Sequence, residues 1–278
     1  MERRISPDFN RWFSIGFSRL KIIILLTLHI IMGIICNWLA AGAGGGEPTA
    51  YRIRIVYDNT SAVKGCTADW GFSCLINGSL LFDTGKSFEI LSQNMQFLGI
   101  EPQGIKKIVI SHNHNDHYGG LHDLLGKIAP GAEVFGTGDF MARLHGKPFG
   151  AILHSIEKTI EIGRGIYALE PIPCSYTGGK LLETVVVLAK ANEICIITGC
   201  AHPGLKIIVD KVKAVFPGKR IGLLMGGFHL FDTKNSELEE IAAYLKESGV
   251  GKVAPVHCTG KSSIRSEEHT SELQSPNT

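Results

Sequence analysis

The segment Ser111–Gly120, SHNHNDHYGG, places His112, His114, Asp116 and His117 within six consecutive positions. Imidazoles and carboxylates are costly to bury without partners, so such a cluster has two readings: chance polar composition of a loop, or a metal ion. The flanks favour the metal. The apolar run KKIVIS reads as a strand, and HYGGLHDLL reads as the start of a helix. A loop between a strand end and a helix start is where a scaffold presents functional groups. In extended chain His112, His114 and Asp116 point the same way, since alternate residues share a face. Imidazole nitrogens and carboxylate oxygens bind zinc at about 2.0–2.2 Å. Four such groups on so short a loop suit two ions, about 3.5–4 Å apart, better than one.

More donors follow other strand-like runs: Asp83 in FDTG, His202 in IITGCAHPG, His229 in LLMGGFHLF and His257 in APVHCTG. DTG alone would fit an aspartic protease, but that leaves every histidine unexplained. Cys200 and Cys258 flank two of these histidines and read as small packing residues behind them in preference to ligands, the alternative reading. Trp70 and Phe72 fit the site's lining or the core equally well.

With these segments the chain resembles the metallo-β-lactamase fold superfamily over about residues 51 to 260. HxHxDH at 112–117 is the most specific motif, and Asp83, His202 and His257 follow in the family's order. The wording WGFS, FDTG, SHNHNDHYGG, TGCAHPG, GGFHL and HCTG is closer to one subgroup, which includes an archaeal pterin-linked phosphate synthase and metal-dependent hydrolases. The resemblance implies an α/β fold, an αβ/βα sandwich of two mixed sheets with outer helices. It implies one ion on His112, His114 and His202 and another on Asp116, His117 and His257, with Asp83 orienting ligands from behind. Zinc is the first expectation; manganese, iron and magnesium also fit. Two departures stand out. The family's bridging aspartate, between His202 and His257, has no counterpart in MGGFHL, which leaves His229 as a candidate catalytic or binding residue beside Asp116. The family's C-terminal helix and strand are expected to be missing.

The resemblance implies a hydrolase that uses two divalent ions and an activated water on an anionic small-molecule ester or phosphoester. A pterin-type transferase and a non-catalytic metal-binding or sensor domain are the rival readings. Between residues 47 and 264 there are 22 basic and 21 acidic side chains. So even a balance gives no support for a nucleic-acid partner. Seven cysteines without framework spacing argue against a disulfide-stapled fold.

Residues 47–264 form the expected catalytic domain. Residues 1–46 carry five basic side chains, then an apolar run from Ile22 to Ala43 without an acid, lysine or arginine. As a helix that run would reach about 33 Å, enough to span a bilayer core. A membrane anchor or signal peptide, followed by a linker, is expected there, with the body outside the cytoplasm. Residues 265–278, beginning RSEEHTSELQS, read as a translated sequencing adapter and are set apart from the fold.

The element reading puts strands at 51–58, 72–78, 79–85, 106–111, 132–136, 165–172, 183–189, 193–199, 220–226 and 252–257. Helices are expected at 86–99, 119–128, 138–146, 203–216 and 236–249. Ser236 and Glu239 suggest a capping box, and Gly249 a C-terminal cap.

Overall fold

The computed structural model describes residues 36–39, 50–61, 63–144 and 150–260. Two large sheets face each other. The first has seven strands in chain order: β1 (Cys36–Leu39), β2 (Ala50–Tyr57), β3 (Ser73–Ile76), β4 (Leu80–Phe82), β5 (Lys107–Ile110), β6 (Glu133–Gly136) and β7 (Ile152–Ser155). Pairing is antiparallel from β1 to β4 and parallel from β4 to β7. The second is built from β8 (Ile160–Gly163), β9 (Ile166–Ala168), β12 (Val186–Ala189), β13 (Glu193–Thr198), β14 (Arg220–Gly227) and β15 (Val253–Val256). Its order is β15-β14-β13-β12-β9-β8, with β13, β14 and β15 parallel. Between β9 and β12, β10 (Ile172–Tyr176) and β11 (Gly179–Glu183) pair as a separate hairpin.

Alternation along the strands explains the layering. In β12, Val186 and Leu188 join the core between the sheets, where Phe72, Phe82 and Val109 come from the first sheet. The intervening Val187 and Ala189 face outward, onto Ile208, Val209 and Val212 of α5 (Leu205–Val215) and Leu245 of α6 (Asn235–Glu247). On the other side α1 (Phe88–Phe97), α3 (Leu121–Leu125) and α4 (Gly138–Leu144) cover Leu81, Ile108 and Val134. Strands buried on both faces read as nearly continuous apolar runs, which is why they were visible in the sequence. This is the expected αβ/βα sandwich. A short helix, α2 (Asn115–Tyr118), sits at the strand ends.

The differences from expectation are local. The strand expected over 165–172 is divided, because the chain leaves β9 after Ala168 and re-enters a sheet as β10. β7 carries an exposed pattern at the sheet's edge, and no apolar period marked it. No cap bond comes from Ser236; α6 begins at Asn235, with the Lys234 carbonyl accepting from Glu237 and Leu238. Its other end matches, with Gly249 at φ 77 and bonds from Gly249 N to Lys246 O and Val250 N to Leu245 O. Most of 1–46, His145 and residues 261–278 lie outside the described residues. Within the expected membrane segment, Cys36–Leu39 pair with β2 as an edge strand, where the open edge of β2 offers backbone partners. Among the described residues no helix is long and apolar enough to cross a membrane.

Candidate metal centre

The site lies where the carboxyl ends of β4, β5, β13, β14 and β15 meet, carrying Asp83, His112, Cys200 with His202, His229 and His257. The two sheets are tied there by a backbone bond from Thr184 N to Ser111 O. The extended run after β5 stops at His114, since α2 begins at Asn115. Asp116 and His117 are therefore neighbours on a helical turn, not continuations of the alternation. Bonds from Thr84 N to His117 O and from Phe72 N to Asp116 O dock that turn on the first sheet.

Asp83, fully buried, organises the first half. Its Oδ1 accepts from Ser111 N at 2.7 Å, and its Oδ2 accepts from Ser111 Oγ at 2.8 Å. Oδ2 also takes His117 Nδ1–H at 2.7 Å, which leaves Nε2 of that ring facing Cys200 Sγ at 3.1 Å. With the Ser111 hydroxyl proton committed to Asp83, His112 Nδ1–H donates to Ser111 Oγ at 2.8 Å. The His112 Nε2 lone pair then faces His114 Nδ1 at 3.0 Å. On the other side, His257 Nδ1–H donates to Asn59 Oδ1 at 2.8 Å, and His257 N donates to Asp58 Oδ1 at 2.8 Å. Its Nε2 is buried without a hydrogen bond of ordinary geometry, 3.3 Å from Asp116 Oδ2. His202 Nε2 is likewise buried and unpartnered.

The donors converge in two sets. Asp116, His117, Cys200 and His257 bring ligand atoms within 4.8 Å of one another, as do His112, Cys200 and His202. Imidazole, thiol and carboxylate donors brought this close, with His202 Nε2 and His257 Nε2 buried and unpartnered, could hold a cation between them. These residues fit the divalent ions of the expected centre. Burial disfavours the charged ring of His117, yet Asp83 and Asp116 outweigh it and raise the group to about 9. Burial and the surrounding histidines push His112 well below its usual range. Burial, with His229 and His114, takes His202 down to about 3. Burial works to raise Asp116, but the rings of His257 and His117 beside it hold it below the usual carboxylate range.

All six ligand candidates read from the sequence meet here, with Asp83 behind them. His229 stands at the rim, its ring 4.5 Å from that of His202 and 5.4 Å from Tyr176, with Nδ1 buried and unpartnered. Trp70 belongs to the site, donating Nε1–H to Asp116 Oδ2 at 2.9 Å, whereas Phe72 is in the core. With Trp70 and Phe231 exposed and Tyr176 half-buried, the mouth has an aromatic frame. Backbone strain concentrates here: Asp83, Ala201, His229 and His257 all have φ between 49 and 59.

Sequence reasoning missed three groups. Cys200 was read as packing, but its Sγ lies 3.1 Å from His117 Nε2 and 3.2 Å from Cys258 Sγ. Burial raises the Cys200 thiol, and Cys258 Sγ stands beside it as a hydrogen-bond donor. Glu183, fully buried, accepts from the backbone N–H groups of Cys200, Ala201 and His202 at 2.9, 2.8 and 2.7 Å. Burial is the largest influence on it and raises it to about 7, although those three donors favour its anion. Asp58 and Asn59 meet His257 across nearly the whole domain, and no local pattern marks them.

Residues 75–218 match the Metallo-beta-lactamase superfamily. The chain belongs to that superfamily. An uncharacterised protein of Methanocaldococcus jannaschii, MJ0448, is 30% identical over 75% of this chain and 90% of its own length. The 7,8-dihydropterin-6-methyl-4-(β-D-ribofuranosyl)-aminobenzene-5'-phosphate synthase of that organism is 28% identical over 66% of this chain and 76% of its own. A solved structure described as Tm1679, a metal-dependent hydrolase of the β-lactamase superfamily, is 29% identical. It covers 79% of this chain and 92% of its own, with a TM-score of 0.64.

Proposed function

We propose that this superfamily member is a metal-dependent hydrolase acting with two divalent ions on an anionic ester or phosphoester of small size. The observation that carries the reading is the convergence of two donor sets, with Nδ1 of His112, His117 and His257 bonded from behind and Nε2 of His202 and His257 buried without a partner. When bound, the ions supply Lewis acidity and bring a water's pKa to about 7. The chain's part is to hold His112, His114 and His202 on one side and Asp116, His117 and His257 on the other. Asp83 and Asn59 take the Nδ1–H groups of His117 and His257, which turns Nε2 of each ring towards the site. Trp70 fixes Asp116 by its indole N–H and shields it from water. His229 stands at the rim beside His202 and Tyr176, where its protonated ring would donate to a substrate oxygen. Zinc is the first expectation from the nitrogen-rich donors, with manganese and iron as alternatives.

The decisive experiment is His112→Ala with His114→Ala. Elemental analysis should find about two ions in the wild type and most of the metal gone from the double variant. Turnover of a generic phosphodiester should vanish with it. Wild-type metal content in the double variant would sink the reading.

Identity to the dihydropterin-linked synthase supports a second reading, a transferase in which the same centre holds a diphosphate leaving group. Reaction with a pterin diphosphate, and none with phosphodiesters, lactones or thioesters, would favour it. We also propose that residues 1–46 direct the domain to or across a membrane. A protease-protected, wholly cytosolic chain that retains this segment would refute that.

A further inference from the structure

Two cations a few ångströms apart repel, and a shared anionic ligand offsets part of that repulsion. The carboxylate expected to supply it is absent around the end of β14, and at the last two positions of that strand the structure shows why none fits. A Cβ on Gly226 would stand 2.1 Å from the carbonyl oxygen of Thr198. One on Gly227 would stand 2.3 Å from the carbonyl of Gly199 and 2.7 Å from Cys258 Sγ. Neither backbone oxygen can move without breaking the β13–β14 pairing that carries the site.

The neighbouring strand end offers a different anion. Cys200 is the residue common to the two donor sets, within 4.8 Å of Asp116, His117 and His257 and also of His112 and His202. It is 3% exposed, so its sulfur serves no outside partner. Its backbone is fixed by Glu183, and Cys258 Sγ lies within hydrogen-bonding distance behind it. We propose that Cys200 supplies a thiolate that bridges the two ions in place of a carboxylate. Zinc–sulfur bonds of about 2.3 Å let one sulfur span ions about 3.5–4 Å apart. On binding, the S–H bond breaks and its proton passes to solvent. The freed electron pair and a second lone pair each form a bond to one ion, and nothing is oxidised or reduced. Cys258 stays a thiol whose S–H donates to the bridging sulfur, as outer groups do for ligands in metal sites.

This inference rests on the two-ion reading, and cobalt(II) separates the two. The full chain loaded with cobalt should bind about two ions and show an intense near-ultraviolet band from thiolate-to-cobalt charge transfer. Cys258→Ser should keep the band. Cys200→Ser should lose it and bind the second ion at least tenfold more weakly. Cys200→Asp should bind two ions without the band, which shows a folded centre even if the serine variant is unstable. Two bound ions with no band in the wild type, or a band that survives in Cys200→Ser, would overturn the bridge and leave the two-ion reading standing. A wild-type chain that binds no cobalt would overturn both.

Discussion

Each half of the candidate centre is organised by one fully buried carboxylate, yet the two carboxylates grip different things. Asp83 bonds to side chains: the ring of His117 and the hydroxyl of Ser111, besides Ser111 N. Glu183 bonds to backbone alone, the three consecutive N–H groups of residues 200–202. The first sets which nitrogen of a ring carries the proton; the second sets where a loop stands. A defect behind the first half should therefore appear in metal affinity, and one behind the second half in stability.

Asp83→Asn offers the largest test of that contrast. The amide keeps the volume but brings a donor to a pocket that already holds three, so the His117 bond or the Ser111 bonds must weaken. Loss of such an outer partner commonly lowers metal affinity by about 10–100-fold. We expect that fall in a competition titration with a chelator, alongside a lower melting temperature. Unchanged affinity would show that Asp83 only supports the fold.

Glu183→Gln should behave in the opposite way. The Glu183 side chain would keep one acceptor oxygen for three donors, leaving buried N–H groups short of partners at a cost of about 1–3 kcal/mol. Denaturant unfolding should show that loss, while ion content at saturating metal stays at the wild-type value. A large fall in affinity with no change in stability would erase the distinction between the halves.

The same contrast explains what the sequence made legible. The first half is one contiguous stretch, so strand end, spacing and residue types appeared together. The apolar strands β5, β12 and β13, and helices α5 and α6, were plain for the same reason: each is a local period. Cys200 looked like packing because its role depends on what stands opposite, His117 at a separation of 83 residues. Glu183 read as the start of a strand, and nothing nearby announced that its carboxylate would cap a turn 17 to 19 residues on. Asn59 and His257 lie 198 residues apart, a pairing that only the closing of one sheet over the other creates. The edge strand β7 stayed hidden because exposure on both faces removes the apolar alternation.

The smallest expected effect belongs to His229, which lies in neither of the two donor sets that hold His112, His202, Asp116, His117 and His257. It groups only with Cys200 and Cys258, at the mouth side of the second half. Its φ of 52 is costly for a residue with a Cβ, so the turn holds the ring there against a local preference. The Cys258 hydrogen bond raises its pKa, which favours the protonated ring and makes it a donor to an anion. As a ligand, His229 would take an ion with it when truncated. As a substrate contact, it would leave the ions and remove one charge-assisted hydrogen bond. We expect His229→Ala to keep about two ions and to lose roughly tenfold in kcat/KM on an anionic ester. A metal count falling towards one would move His229 into the donor set. Unchanged metal and unchanged kinetics would make it a packing residue between Tyr176 and Phe231, and would confine the chemistry to the two halves that Asp83 and Glu183 support.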